Sequence, residues 1–439
     1  MQGLFGIHSK EDCLKELFLG TFGLQHRGQV YCGLATTDGE DIKIRTHRGL
    51  VAPTFDNDLA GLEGIAGIGV TSSVDRQPMS FFSRLGKFVV GIDGYIVNSH
   101  ELLEQLYFND HVFSTEQDAE LLATLIGEKL NLGEGIRYAL DRVAGPCALL
   151  LLCPEGVYGA RDLHGMKPLM IGKKKGAWAF SSGSCAFNNG CGFKPFRDVK
   201  PGEIVFLGED GPVTVSKQRK PHRLKRCSFE WIYFAEPDSV IEKIPVARVR
   251  HNLGANLAAN DEAEGFGFTA EDTVVGPVPN SGIIHAEGYH LKSGLPSVEL
   301  FKPPKYILRT YNLPLEERKR QKSRKLAPIK ENIQGKRVVL ADDSIRSAIT
   351  ITGIIKMLFD CEASEVHVRI ACPNSIRYCP FDNPPLEEEE FIAATKSAEE
   401  IRQIIGATSL RFQNLADVPA AIGLPEKELC LDCFLSGQS

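Results

Sequence analysis

Near the carboxyl end, Cys430-Leu431-Asp432-Cys433 sets two thiols three residues apart. That spacing suits a shared metal ion or a reversible disulfide, and it also arises by chance. The pair alone does not choose among zinc, redox chemistry and coincidence. The chain carries 12 Cys in all, and in a reducing compartment so many favour metal ligation or buried thiols over disulfides. A second candidate is acidic: Asp342-Asp343 follows the apolar run 338–340 and precedes a helical pattern. Alone, such a pair reads as a helix N-cap, because the first N–H groups of a helix need acceptors. A third feature is the opening, where residue 2 is Gln. A carboxamide has a delocalised lone pair and no ionisable proton near neutral pH, so Gln2 is no nucleophile.

Two kinds of segment must position these groups. The first 220 or so residues hold short apolar runs cut by Gly, Asp and Asn, at 31–36, 65–70, 88–92, 148–153 and 177–181. They predict strands of layered sheets. Helical spacing of apolar residues at 11–24, 99–106 and 118–130 predicts amphipathic helices among them. The stretch 217–226 is basic and polar and reads as a linker. Beyond it the pattern alternates: helix at 246–260, strand at 272–278 ending in Pro-Asn-Ser-Gly, helix at 283–292, then a strand at 338–340. A helix at 350–358 and a strand at 366–372 follow. Strand and helix alternation argues for an open parallel sheet. Segment 302–325 is polar, basic and unpatterned, as in a mobile loop. Residues 387–390 form a short acidic run that reads as a solvated face.

With 439 residues the chain can bury two or three domains, and its net charge of −6 comes without a basic block. Nothing points to nucleic acid or to an anionic membrane. The opening lacks a basic-then-apolar signal, and no apolar run approaches bilayer length, so the cytoplasm is the expected compartment.

The whole chain resembles the amidophosphoribosyltransferases, the glutamine phosphoribosylpyrophosphate amidotransferases of purine synthesis. The resemblance rests on Met1 to Ile7, Leu24 to Gln29, Ala160 to Gly165 and Arg197-Asp198-Val199 before Pro201-Gly202-Glu203. It continues through Phe229 to Ala235, Pro277 to Gly282, Val338 to Ile345, Val366 to Ile370 and Cys430 to Phe434. It implies an α+β N-terminal-nucleophile-type αββα sandwich over 1–225, with a glutamine amidotransferase-like fold. An α/β phosphoribosyltransferase-type parallel-sheet domain is expected over 226–425, with a tail at 426–439 carrying two cysteines. Fold does not carry activity with it, so each site is weighed separately.

In the family's first site a cysteine, with its own α-amino group as base, attacks glutamine. Here that position is Gln2. The family's oxyanion hole is an Asn-Gly pair, matched by Asp93-Gly94; a carboxylate there repels developing negative charge, and losing one such donor costs roughly 3–4 kcal/mol. The family's carboxylate-binding arginine is matched by Ser72, which cannot make a bidentate charged contact. The amine partner persists as Asp118, and Arg27 is expected to help turn the chain. Glutaminase activity is therefore predicted to be absent.

In the second site the resemblance assigns Asp342 and Asp343 to ribose hydroxyls and the following loop, through Thr350, to a phosphate at the helix N-terminus. Ala348 replaces a glycine there, which is expected to strain the turn, and Ile349 replaces a threonine. Asn280 stands for an aspartate in the pyrophosphate loop, and Pro303-Pro304 alter the stretch before Arg309-Thr310. Weak binding of a phosphorylated sugar or nucleotide is implied, with Mg²⁺ if phosphoribosyl pyrophosphate binds, and impaired turnover.

Iron–sulfur members of the family ligate a 4Fe-4S cluster through cysteines at positions matched by Cys227, Cys379, Cys430 and Cys433. Cys372 is a rival for the second ligand, and a tetrathiolate zinc site is the alternative. Such a cluster is expected to pin the tail, and its loss to release it. Cys147, Cys153 and Cys185 read as core thiols. The reading is of an amidophosphoribosyltransferase-like iron–sulfur pseudoenzyme, without glutaminase activity and with a regulatory, scaffolding or redox-responsive role. One alternative is a phosphoribosyltransferase that uses ammonia or another nucleophile. Another is a small-molecule binding module in the pocket of Gln2, Ser72 and Asp93. A homo-oligomer, dimer or tetramer, is the expected assembly.

Overall fold

The computed structural model describes residues 1–188, 190–216, 223–302, 326–346, 348–377, 379, 381 and 391–435. The first half is two antiparallel sheets. In the seven-stranded sheet, Gln2–Ser9 lies between Ala177–Ser181 and Ala66–Ser72, with Gln2 opposite Ser72. In the six-stranded sheet, Gly86–Gly94 pairs with Cys147–Cys153, which pairs with Gly156–Arg161. Leu4, Ile68 and Val70 of one sheet pack against Leu150, Val157 and Val205 of the other. Helices Leu14–Gly23 on one outer face and Ser99–Phe108, Asp118–Gly127 and Leu132–Arg142 on the other complete an αββα sandwich. Both faces of each sheet are covered, which is why the strands appear as continuous apolar runs and not as alternation.

The expected helix 118–130 is shorter, Asp118–Gly127. It stops at Gly127, and a new helix begins at Leu132, capped by the Asn131 side chain accepting from Glu134 N.

The second half is built on a four-stranded parallel sheet: Thr273–Pro277, Arg337–Asp342, Glu365–Ile370 and Ser409–Phe412, adjacent in chain order. Helices Val246–Ala263, Ile283–Ser293, Ala348–Asp360 and Ala398–Ile405 share its core. The carboxyl ends of the strands bring Pro277 and Asp342 to one edge, where open α/β sheets bind ligands. The tail returns as Leu429–Cys430, pairing in parallel with Arg226–Cys227. No helix among the described residues is long and apolar enough to cross a membrane. Most of the expected linker, the altered stretch at Pro303-Pro304, Arg309-Thr310 and the acidic run 387–390 lie outside the described residues.

Candidate functional site

Gln2 is buried at the head of a central strand, with 4% of its surface exposed. Its backbone N–H donates to Asp93 Oδ1 at 3.2 Å, and its side-chain Oε1 accepts from Gly94 N at 3.2 Å. The backbone donor of the Asp93-Gly94 pair is thus occupied by a carboxamide of the chain itself. Gly94 permits this close packing: a Cβ there meets Pro146 O at 2.0 Å. Met1 precedes Gln2, its carbonyl accepting from Ser73 N at 3.2 Å.

Asp93 is wholly buried, yet it is not an isolated charge. Lys167 Nζ lies 3.2 Å from its Oδ1 and Arg27 Nη1 lies 3.6 Å from its Oδ2. Arg27 in turn grips Glu230 with both terminal nitrogens, at 2.6 and 3.2 Å. Burial pushes the Asp93 carboxyl up, but Lys167 and then Arg27 outweigh it and hold it below the usual carboxylate range. Burial pulls the Lys167 ammonium down, and Asp93 followed by Glu230 more than restore it. Two cations and two anions therefore form a neutral buried quartet. Arg27 is a partner in this quartet and bridges the two halves, where the sequence suggested only a turn-forming role.

The turn that delivers Lys167 is built by its own sequence. Asp162 accepts from the N–H groups of His164, Met166 and Lys167 at 3.0, 3.0 and 3.1 Å. Arg161 donates to the carbonyls of Gly165 and Lys167 at 2.8 and 2.6 Å. Gly165 takes φ +69°, which favours glycine. Lys167 and Glu230 were not singled out from sequence. Each lies in or beside a motif that was, and the signal available was an ionisable residue adjoining an apolar stretch.

Ser72 is fully buried and its Oγ accepts from Val74 N and Asp75 N at 3.2 and 3.0 Å. It closes a turn. Asp118 accepts from Ile96 N at 3.0 Å, and burial pushes its pKa up to about 6.

A cavity of about 530 Å³ begins beside Met1 and Lys167 and runs to the edge of the parallel sheet, where Asp342, Asp343, Ser344, Arg346 and Thr350 line it. Ser281 Oγ donates to Asp342 Oδ1 at 2.9 Å, and Ser344 Oγ donates to Asp343 Oδ2 at 2.5 Å. Burial, then the neighbouring Asp343, pushes the Asp342 carboxyl well up. Ala348 opens the helix Ala348–Asp360 in helical conformation, so the expected strain at that residue is not found; Ser347, before it, lies outside the described residues. Ile349 is 68% exposed.

Cys227, Cys379, Cys430 and Cys433 line the same cavity, and Cys372 is not among its lining residues. Cys227 and Cys430 are opposite each other in register. Burial raises the Cys227 thiol well above its usual range, with Cys430, Glu230, Cys379 and Cys433 adding to it; burial also raises Cys430 to about 11. The four sulfurs therefore face one region. Among the described residues no three His, Cys, Asp or Glu side chains converge on a point suited to a single metal ion. The tail has anchors of its own: Arg226–Glu428 at 2.8 Å, Ser228 Oγ to Cys430 O at 3.0 Å, Ile376 N to Cys433 O at 3.2 Å and the stacked Phe229 and Phe434. These contacts hold the tail beside the strand that carries Cys227. Cys147, Cys153 and Cys185 are buried, as expected.

Residues 66–189 match the family model for a glutamine amidotransferase domain. The chain is 35% identical to an amidophosphoribosyltransferase of Methanocaldococcus jannaschii, covering 99% of this chain and 96% of that protein. It is 34% identical to the amidophosphoribosyltransferase of Bacillus subtilis, covering 98% of this chain and 92% of that protein. Among solved structures, it superposes with a TM-score of 0.90 on the glutamine phosphoribosylpyrophosphate amidotransferase of B. subtilis complexed with ADP and GMP. That match is at 34% identity and covers 98% of this chain and 96% of the other.

Proposed function

The chain belongs to the amidophosphoribosyltransferase family, and from that premise we propose that it is a member without glutamine hydrolysis, a pseudoenzyme with a regulatory or redox-responsive role. One observation carries this: the Gln2 carboxamide occupies the Gly94 N–H while Asp93, held ionised, faces the same place. Nucleophile and oxyanion donors are then both wanting. The same filling speaks against a small-molecule site in this pocket.

We further propose that Cys227, Cys379, Cys430 and Cys433 hold a 4Fe-4S cluster. Four thiols facing one cavity from three segments suit it, since a cubane takes one thiolate at each of four separate irons and does not need all four sulfurs around one ion. A cluster bound there supplies either structural cross-linking or one-electron redox chemistry. The chain's own contribution is to hold the thiols around one cavity.

A second reading keeps the transferase site alive. Asp342, Asp343, Ser281 and Thr350 line the cavity and offer acceptors for ribose hydroxyls and for a Mg²⁺-bound phosphoribosyl pyrophosphate, with ammonia as nucleophile. A cytoplasmic homo-oligomer completes the proposal.

The experiment is to purify the protein without oxygen, quantify iron and sulfide, and measure glutamate release and phosphoribosylamine formation. Iron and sulfide without glutamate release support the proposal. Glutamate release at enzymatic rates overturns it, and phosphoribosylamine formed from ammonia alone moves the second reading into first place.

A further inference from the structure

The first pocket has lost its chemistry but keeps four buried charges, and one of them reaches the second. Lys167 lines the cavity shared with Cys227. The turn that carries it is tied to the strand carrying that cysteine: Lys225 N donates to His164 O at 3.0 Å. The Lys167 ammonium and the Cys227 sulfur lie within electrostatic range of each other. Glu230 is the opposing charge near both. The other charges around the thiols, Lys225 and Asp432, pair with each other at 3.4 Å, and Arg377 Nε donates to the Asp432 carbonyl at 2.5 Å.

We infer that Lys167, gripped by Asp93, is a positioning residue that sets the electrostatic field at Cys227, so that the disabled pocket tunes the reduction potential of a cluster held by the four thiols. This rests on the cluster reading above. One-electron reduction of a cluster held there would add a unit of negative charge to the iron–sulfur core beside the thiolates and would move no proton. A nearby ammonium favours the reduced form, and a nearby carboxylate disfavours it. In a buried site such interactions are screened little. Asp93 therefore acts through Lys167 and opposes its field.

The test is a redox titration of the anaerobic full-length protein with dithionite and mediators, followed by electron paramagnetic resonance, after iron and sulfide are quantified. Lys167→Met is expected to disfavour reduction by on the order of tenfold, lowering the potential by about 59 mV. Asp93→Asn is expected to shift it by a similar amount in the opposite direction. Lys167→Arg keeps the charge and is expected to stay close to the unaltered protein. If Lys167→Met does not fold, Asp93→Asn and Lys167→Arg carry the comparison. A fully loaded cluster whose potential is indifferent to both charge changes, or moves the same way in both, overturns the inference and leaves the cluster reading standing. Absence of iron and sulfide from the unaltered protein overturns the cluster reading, and the inference with it.

Discussion

The backbone N–H of Gly94 donates to the side-chain oxygen of Gln2 at 3.2 Å. In a glutaminase of this fold, that N–H faces the oxygen of the substrate amide as it becomes an anion. Here an amide belonging to the chain takes that place, and the donor is engaged in a ground-state hydrogen bond. The aspartate beside it does not lie idle: it balances Arg27 and Lys167, whose charges are buried with it.

Restoring the thiol alone should not restore the reaction. Gln2→Cys frees the Gly94 N–H and, with a small residue at position 2, allows Met1 to be removed, but Asp93 still offers a charged acceptor where a donor is needed. Missing one such donor lowers turnover about 10²–10³-fold. We expect no glutamate release above background from Gln2→Cys in a coupled assay. Release at a rate typical of glutaminases shows that the site is intact but for one residue.

Met1 should remain on the mature chain. Its enzymatic removal requires a small second residue, and Gln2 is large. An intact-mass measurement is expected to include Met1. A mass lower by one methionine refutes this and returns an amine to the pocket; a further loss of one ammonia marks a cyclised N-terminal glutamine, which refutes it without returning the amine.

Asp93→Asn, which restores the amide that the family's hydrolases use, is expected to destabilise this protein. It leaves Arg27 and Lys167 facing Glu230 alone, an uncompensated buried charge worth roughly 3 kcal/mol. Asp93→Asn combined with Lys167→Met removes one charge of each sign and is expected to recover part of that loss. The coupling in a double-mutant cycle from urea unfolding should exceed about 1 kcal/mol. Strict additivity sinks the idea of a mutually dependent quartet.

Asp118 gives a pH dependence. Its folded-state pKa of about 6 lies above the ordinary aspartate value, so the folded protein holds that proton more tightly than the unfolded chain. The contribution favours folding most below about pH 4 and declines as pH rises towards 6. Asp118→Asn can still accept from Ile96 N and removes the buried charge. It is expected to flatten stability over that window and to raise it near pH 7 by roughly 2 kcal/mol. An unchanged pH profile of unfolding in Asp118→Asn counts against the burial argument.

At the sheet edge, calorimetry with phosphoribosyl pyrophosphate and Mg²⁺ distinguishes a surviving site from an extinct one. If binding is seen, Asp342→Asn is expected to weaken it by roughly 2 kcal/mol, the worth of a hydrogen bond to a charged group. Binding that ignores this substitution means that the ligand sits elsewhere in the cavity.

Much of this was legible along the chain. The strand Ala177–Ser181 was read with its bounds intact, because a short apolar run between turn residues reports a buried strand wherever it lies. The alternation around Thr273–Pro277 and Arg337–Asp342 announced the parallel sheet, and the side chains at residues 2, 72 and 93 announced by their identity the departure on which the proposed loss of glutamine hydrolysis rests. Less legible were edge strands such as Lys194–Asp198, largely polar and fixed by pairing with Met170–Lys174.

What no local pattern contained was the company those residues keep. Arg27 meets Glu230 across 203 residues of sequence, and Lys167 reaches Asp93 from a turn in another part of the sandwich. Residue type determined that Gln2 cannot attack and that Asp93 cannot donate while ionised. Only packing decided that Asp93 is ionised, that Gln2 fills the space, and that Lys167 faces the thiols as well. Propensity and periodicity are properties of neighbours in sequence. The energy of a buried charge depends on distances in space and on the exclusion of water, and these exist only once the two halves have come together.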